Sequence, residues 1–396
     1  MLALRRSDQD RTLEPQQTRL AWNEGLDLAR TAAVFLVLYA HSQDILKGSL
    51  GWASSPLLSA LDEVFRPGWW GVRIFFALSG YLIGREVLRI LTSGCLKQAR
   101  LFLARRWLRT VPTFWIILLL TVWGNDFRFQ VSHVISNALF LNTATAIGSD
   151  TSIVAVGWSL VIEEWSYAGL GALVLAVSWS RWKPSPNQAT SLLAGVALIA
   201  IAASVAMRLQ ISSIDNISFD LIKKTASLQL DSLSYGVLLA CIQQHWPSAW
   251  TQLTQRGWLI GLIGWGGMTI IGAWMRTTFQ LNVATPTTLD WQLLGGVIYP
   301  LSGLLCCCFC LGLWLFRWPG GITPIEQGAK LLAKISYSVY LTHVPIRQIP
   351  VFREGNFSES GSLILWCSYL AVSIGCGYFC WQLTERPFMA LRRRLR

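Results

Sequence analysis

The chain has 396 residues, of which 53% are hydrophobic and 14% are charged, and it carries a formal net charge of +12. Its mean hydropathy is +0.44. Soluble domains contain about 25% charged residues, so this composition excludes an ordinary soluble protein. The apolar residues form continuous blocks of about 20 residues, the length that a helix needs to cross a bilayer. Continuous blocks also disfavour a β-barrel, whose strands alternate polar and apolar residues. We therefore predict an all-α, polytopic membrane protein without a soluble domain.

In chain order, the apolar blocks predict about ten transmembrane helices. Their boundaries define a cytoplasmic N-terminal tail (1–25), a transmembrane domain (26–385) and a basic cytoplasmic tail (386–396). If both termini are cytoplasmic, the inner segments hold 21 Lys and Arg residues and the outer segments hold nine, as the positive-inside rule requires. Membrane topology thus accounts for the net charge, and no nucleic-acid partner is expected. The predicted spans are 26–45, 69–91, 108–123, 158–178, 189–207, 226–242, 258–274, 292–316, 331–346 and 361–383.

The first predicted span contains the sequence RTAAVFLVLYAH, which starts at Arg30 and ends at His41. Eleven helical steps return to nearly the same face and rise roughly 16 Å, so both side chains lie on one side of the helix. Ionisable groups inside a bilayer are costly, and by default they are functional. His41 is a natural general base at neutral pH. The structural alternative is that Arg30 reaches the inner interface and that His41 caps the outer helix end.

The second predicted span begins within GWWGVRIFFALSGYL (68–82) and contains Arg73, which needs a partner or water at this depth. Gly80, which follows Ser79, allows a close backbone approach or a break in the helix beside a cavity. A face of small residues that packs against another helix is an equally favoured interpretation.

The segment KQARLFLARRWLRTVP (97–112) places Arg105, Arg106 and Arg109 near the cytoplasmic start of the third span. Contact with lipid headgroups is the simplest explanation of such a cluster. A phosphate clamp is the sharper hypothesis, because a guanidinium group binds phosphate in a bidentate manner.

The fourth span begins within GWSLVIEEWSYAG (157–169), in which Ser159, Glu163 and Tyr167 share one helical face. The adjacent carboxylates of Glu163 and Glu164 are hard to explain structurally in an apolar span. We expect Glu163 to orient a histidine, to pair with an intramembrane arginine or to handle a proton.

For several other residues, a structural role explains the sequence pattern about as well as a functional one. The ninth span carries Ser336, Tyr340 and His343 within two turns, and such residues near a helix end are often interfacial anchors. Most of the 21 tryptophans are expected in interfacial belts. The nine cysteines show no metal-site spacing, and no metal is expected. The tryptophans that could instead stack on a sugar ring or an adenine are Trp69, Trp70 and Trp158.

Taken together, six motifs resemble the acyltransferase type 3 family of membrane enzymes, which modify bacterial surface polysaccharides and some small molecules. The resemblance covers nearly the whole chain. Two positions differ from the common family pattern: Arg73 stands where many relatives carry an acidic residue, and Thr342 where an aromatic residue is common. The motifs are Arg30-x10-His41, GVRIFFALSGYL, ARRWLRTVP, WSLVIEEWSY, ISYSVYLTHVPI and ERPFMALRRRL.

The resemblance implies an O-acyltransferase of the bacterial cytoplasmic (inner) membrane that uses cytoplasmic acyl-CoA, commonly acetyl-CoA, as its co-substrate. The implied acceptor is a hydroxyl of a surface polysaccharide or a lipid-linked sugar, with a small molecule as the alternative. The expected catalytic residues are Arg30, His41 and Glu163. The expected donor-binding residues are Arg73, Phe76, Ser79, Arg105, Arg106 and Arg109, and the expected acceptor-binding residues are Trp70, Trp158, Ser159, Tyr167 and His343.

Several alternatives remain open from the residues. Glu163 is expected to orient or charge-balance His41, while Arg30 either lines the donor path or stabilises negative charge. Transfer can be direct or can pass through an acyl-enzyme. A transporter or flippase with an Arg/His/Glu proton relay is the alternative function, against which the lack of an internal repeat counts. A non-catalytic sensor or scaffold is a third class.

Overall fold

The computed structural model describes residues 23–47, 69–143, 151–214, 217–279, 285–319, 323–353 and 359–394. These residues form helices, turns and loops and contain no strand, as predicted for an all-α protein. The predicted N-terminal tail lies outside the described residues up to residue 22. The helices are α1 (Glu24–Ala40), α2 (Gln43–Lys47), α3 (Trp69–Ser93), α4 (Leu96–Gly124), α5 (Val131–Ala138), α6 (Gly157–Trp179), α7 (Pro186–Ile211), α8 (Phe219–Lys224), α9 (Ser234–His245), α10 (Pro247–Gln255), α11 (Gly257–Phe279), α12 (Thr288–Gly312), α13 (Pro324–Arg347), α14 (Pro350–Arg353), α15 (Glu359–Cys380) and α16 (Arg386–Arg394).

Local sequence sets the beginnings of several helices. The Asn23 side chain accepts a hydrogen bond from the Leu26 backbone N–H and caps α1. Ser185 forms a capping box with Gln188 ahead of α7, and proline occupies the first turn of that helix. The Thr323 side chain accepts a hydrogen bond from the Glu326 backbone N–H and caps α13, also before a proline. Each cap satisfies a backbone N–H that has no partner within the helix, so the chain enters these helices at defined residues.

Six helical segments in the described part of the chain are long and apolar enough to cross a membrane. The protein is therefore an all-α, multi-pass membrane protein. The predicted count of ten is not confirmed, because the other four predicted spans fall on helices that do not combine the length and the apolar composition needed to cross a membrane: α1, α3, α9 and α13. The six segments are α4, α6, α7, α11, α12 and the run Ser362–Arg392.

Two basic segments outside the predicted spans are helical in the structure. The third span was expected at 108–123, but α4 begins at Leu96 and includes the whole basic segment. The predicted basic tail at 386–396 is helical through Arg394, and α16 packs against α4. Basic residues that the sequence pattern assigns to a loop and a tail thus lie on helices.

Helix α3 is the centre of the bundle and packs against α1, α9 and α12. Its contact with α9 brings the two backbones together at Gly80 and Gly236. A Cβ atom on Gly80 would lie 2.0 Å from the carbonyl oxygen of Leu233, and one on Gly236 would lie 2.1 Å from that of Ala77. Only glycine fits at these positions, so the packing-face interpretation of the second span holds here.

We predict that Gly236→Ala lowers the melting temperature by several degrees, because overpacking a close contact costs about 1–3 kcal/mol. Gly195→Ala in α7 is the matched control, since a Cβ atom there meets nothing within 4 Å. Fluorescence-monitored melting of the two purified variants in the same detergent measures the difference. Equal melting temperatures for both variants would contradict the close α3–α9 contact.

Candidate active site

Three neighbouring cavities lie along α3, and residues of α3 line every one of them. The first, here called the basic cavity, has a volume of about 630 Å³. Arg106 and Arg109 reach it from α4, and Arg392 reaches it from α16. The other polar residues that line the basic cavity are Arg85, Glu86, Arg89, Thr92, Gln243 and Gln244.

The arginines of the basic cavity differ in their partners. Arg106 pairs with Glu86 at 2.9 Å and also lies over the ring of Tyr167. Arg109 makes no hydrogen bond or ion pair with any described residue, and it lines both the basic cavity and the next one. The predicted clamp residue Arg105 is not on the wall of the basic cavity. Arg109 is therefore the guanidinium group best placed to receive an anion.

The second cavity, here called the central chamber, is small, with a volume of about 80 Å³. Arg106 and Arg109 belong to its wall as well as to that of the basic cavity, so the two spaces adjoin. Besides these two arginines of α4, sequence-predicted residues from four other helices meet here. They are Arg30 from α1, Phe76 and Ser79 from α3, Ser159, Glu163 and Tyr167 from α6, and Tyr340 from α13.

Short hydrogen bonds hold the charged groups of the central chamber in place. Glu163 accepts hydrogen bonds from the Ser79 hydroxyl at 3.0 Å and from the Tyr167 hydroxyl at 3.1 Å. Arg30 pairs with Asp27 at 2.7 Å, one turn earlier in α1. Glu164 instead accepts a hydrogen bond from Thr110 and does not line the chamber. Of the two adjacent carboxylates, Glu163 is thus the one that faces this space.

The third cavity, here called the His41 cavity, has a volume of about 400 Å³. It shares Val72 and Tyr340 with the central chamber. Between the two spaces, the hydroxyl groups of Tyr340 and Ser159 lie 2.7 Å apart. The wall of the His41 cavity also contains a histidine and several aromatic and charged residues: His41, Trp69, Trp158, Phe219, Asp220, Lys223, Lys224 and Arg276.

His41 is positioned with one ring nitrogen free. Its Nδ1 atom lies 2.9 Å from the carbonyl oxygen of Val37, which can only accept a hydrogen bond. Nδ1 therefore carries the proton and Nε2 carries the lone pair. The Arg347 side chain donates a hydrogen bond to the His41 carbonyl and pairs with Asp44, which fixes the end of α1. The exposed His41 ring thus presents a proton acceptor to the cavity.

The predicted acceptor-binding residue His343 lies behind His41 and not on the cavity wall. It is fully buried, and the two imidazole rings meet edge to face with their centres 4.9 Å apart. Its Nδ1 donates to the Tyr340 carbonyl oxygen at 2.7 Å, while its Nε2 has no hydrogen-bond partner among the described residues. His343 can therefore position the His41 ring but cannot contact an acceptor directly.

Several predicted contacts are not formed. Glu163 faces the central chamber and His41 faces the third cavity, so these two residues do not form a His–carboxylate pair. Trp70 is buried, and its neighbour Trp69 lines the His41 cavity in its place. The exchange of Trp70 for Trp69 follows from the rotation of α3 about its axis, since adjacent residues point about 100° apart.

Arg73 lies outside all three cavities, although it was predicted to bind the donor. It donates hydrogen bonds to the Gln229 side chain at 3.3 Å and to the Tyr299 carbonyl oxygen at 2.9 Å. Its guanidinium carbon also lies 4.7 Å from the ring centre of Tyr299 and 5.3 Å from that of Trp69. The buried cation is stabilised by these aromatic faces and carbonyl groups, which explains how an arginine is accommodated at this position.

The sequence analysis missed a neighbouring buried ion pair. Arg208 forms two hydrogen bonds with Asp231, at 2.9 and 2.7 Å, and both side chains are fully buried. Arg208 also donates to the carbonyl oxygen of Gly295, inside the π turn of α12. The available signal was an acidic residue, Asp231, inside the predicted span 226–242, with Arg208 directly after the predicted span 189–207.

Comparison with known families agrees with this architecture. A family model described as an acyltransferase domain matches residues 23–382, which is nearly the whole chain. Together with the helical fold, this match defines a membrane acyltransferase. The chain belongs to the acyltransferase type 3 family. No match was found among curated proteins or among solved structures.

Because Arg73 contacts no cavity, we predict that Arg73→Gln destabilises the protein while acyltransfer per folded molecule is largely retained. The lost hydrogen bonds of a buried cation correspond to a stability loss on the order of 2 kcal/mol. Thermal melting and activity normalised to monodisperse protein give the two readouts. Arg128→Gln is the control, since the Arg128–Asp126 pair is exposed and contributes little. A stable Arg73→Gln variant without activity would place Arg73 in the catalytic machinery instead.

Proposed function

We propose that the protein is an O-acyltransferase that moves an acyl group from cytoplasmic acyl-CoA to an acceptor hydroxyl at the opposite face of the membrane. The observation that carries the proposal is the series of three adjoining cavities along α3, which begins at a cluster of arginines and ends at His41. The proposal places both termini in the cytoplasm of a bacterial cell and the His41 cavity at the outer side of the inner membrane.

The chemistry of the basic cavity supports a phosphate-bearing donor. Its volume of about 630 Å³ lies within the usual range for small-molecule sites, and five arginines line it. Guanidinium groups bind phosphate oxygens through paired hydrogen bonds. Because Arg109 has no ion-pair partner among the described residues, it can bind a phosphate without breaking an existing contact.

The central chamber would carry the thioester arm of the donor. The arm has to cover roughly 16 Å from Arg30 to His41, the rise of eleven helical residues. In the proposal, Arg30 lines this donor path, and Glu163 balances the charge of the surrounding arginines. The volume of about 80 Å³ favours a short acyl group such as acetyl. Tyr340 and Ser159 stand at the exit and would have to separate for the acyl group to reach His41.

His41 supplies the chemistry of the transfer step. Its Nε2 lone pair accepts the proton of the acceptor hydroxyl while the hydroxyl oxygen attacks the thioester carbonyl carbon. The carbon–sulfur bond then breaks, and the thiolate takes the proton from the imidazolium. The products are an ester and a free thiol. Since Glu163 lies in another cavity, the orienting groups for His41 are the Val37 carbonyl oxygen and the His343 ring.

We predict that His41→Ala abolishes acyl transfer, because loss of a general base costs about 10²–10⁴-fold in rate. The measurement is mass spectrometry of surface glycans and lipids from cells that express the wild type or the variant at equal levels. His245→Ala is the control, since His245 is exposed at the end of α9. An unchanged acyl pattern in the His41→Ala cells would overturn the proposal. Movement of the acceptor across the membrane of liposomes that contain the purified protein, without consumption of acyl-CoA, would indicate the transporter alternative.

A second prediction concerns the donor. Arg109→Gln should raise the KM for acetyl-CoA by about tenfold, since it removes a charge-assisted contact with phosphate. Arg105→Gln removes the same charge from the same helix but from a side chain outside the basic cavity, so its KM should stay near the wild-type value. Steady-state transfer assays on purified protein distinguish the two variants. Equal KM values would argue against phosphate binding in the basic cavity.

A further inference from the structure

The His41 cavity carries an excess of positive charge. Lys223 and Lys224 of α8 and Arg276 of α11 line it, whereas its wall contains one acidic residue, Asp220. Asp220 already pairs with Lys224 at 3.0 Å. On the topology that the sequence predicts, these cations face away from the cytoplasm, where the positive-inside rule does not explain them.

Lys223 is the cation whose surroundings are the most informative. Its ammonium nitrogen lies 5.3 Å from the ring centre of Trp158 and 6.0 Å from that of Phe219. No described carboxylate forms an ion pair with it. Burial lowers the pKa of the Lys223 ammonium, and Lys224 acts in the same direction while Asp220 opposes both. A partly desolvated cation of this kind gains interaction energy when an anion binds beside it.

The remaining walls are suited to a sugar. The Trp158 ring that contacts Lys223 also lines the cavity, as do Trp69 and Phe219. Flat aromatic rings bury the apolar faces of sugar rings, and a polar side chain at their edge fixes the orientation of a bound ligand. His41 opens into the same space. A contact with lipid headgroups explains Lys223 less well, because the ammonium group lies over a ring of the cavity wall and not over an outer helix face.

We infer that the acceptor is an anionic carbohydrate whose negative group binds at Lys223 while a hydroxyl of the same molecule is presented to His41. The inference rests on the proposed function and names its acceptor class. Two sources supply such a negative group: the phosphate that links a sugar to a lipid carrier, and the carboxylate of an acidic sugar residue. Both groups accept charge-assisted hydrogen bonds from an ammonium group.

Binding of small probes to the purified, detergent-solubilised full chain tests the inference without requiring transfer. Calorimetric titration compares glucose 1-phosphate, methyl glucuronoside and neutral methyl glucoside. The wild type should bind at least one charged probe about tenfold more tightly than methyl glucoside, and Lys223→Gln should remove that difference. Lys223→Arg should preserve it. Lys183→Gln, which removes the same charge from an exposed loop, should bind like the wild type.

The outcomes distinguish a phosphate from a carboxylate as the negative group, and they test the anionic acceptor separately from the proposed acyltransferase function. Preference for glucose 1-phosphate alone indicates a phosphate group, preference for methyl glucuronoside alone indicates a carboxylate, and preference for both supports the shared chemistry. Equal or undetectable binding of the charged and neutral probes, or a charge preference that survives in Lys223→Gln, overturns the inference. A parallel transfer assay with acetyl-CoA tests the proposed function separately. If methyl glucoside is acetylated as fast as the charged probes, the acyltransferase function is upheld and the anionic acceptor is rejected.

Discussion

The close approach of α3 to its neighbours is the constraint on which the rest of the structure depends. Gly80 and Gly236 allow two helix backbones to touch, so α3 occupies the middle of the bundle and not its edge. Each of the three cavities takes part of its wall from α3. A wider separation would displace Ser79 from Glu163 at one level and Trp69 from the His41 cavity at another. Packing and function are therefore linked through one helix.

The two ends of the cavity series differ in the charged groups that line them. Arginines crowd the basic cavity and the central chamber, where Glu86, Asp27 and Glu163 offset only part of their charge. At the other end, two imidazole rings face each other with both Nδ1 protons directed to backbone carbonyl oxygens. On the proposed mechanism, His41 is held by a carbonyl group and a second imidazole and not by a carboxylate, so the proton that it accepts leaves with the thiol product.

The sequence predicted those features that depend on local pattern. Hydropathy predicted the positions of the helices. The eleven-residue step predicted that Arg30 and His41 lie on one side of α1, and in the structure they line neighbouring cavities. Contacts between distant segments were not predictable, which is why the structure places Glu163 and His41 in different cavities and Arg73 in none of the three. The sequence predicted Trp70 as an acceptor-binding residue, but Trp69 lines the His41 cavity, because the sequence does not reveal the rotation of α3 about its axis. Lys223 is one of the nine basic residues in the predicted outer segments, and its contact with Trp158 depends on tertiary packing that the sequence does not reveal.

The hydrogen bond between Tyr340 and Ser159 has a consequence beyond catalysis. On the proposed route, a path that lets an acyl group cross the bilayer would also conduct protons if it stood open, and the cell would lose its electrochemical gradient through every copy of the enzyme. Val72 and Tyr340 line both the central chamber and the His41 cavity, and on the proposed route the Tyr340–Ser159 hydrogen bond would close the path between them. On the proposed route, the donor arm itself fills the opening that it creates, so the membrane stays sealed while each acyl group passes.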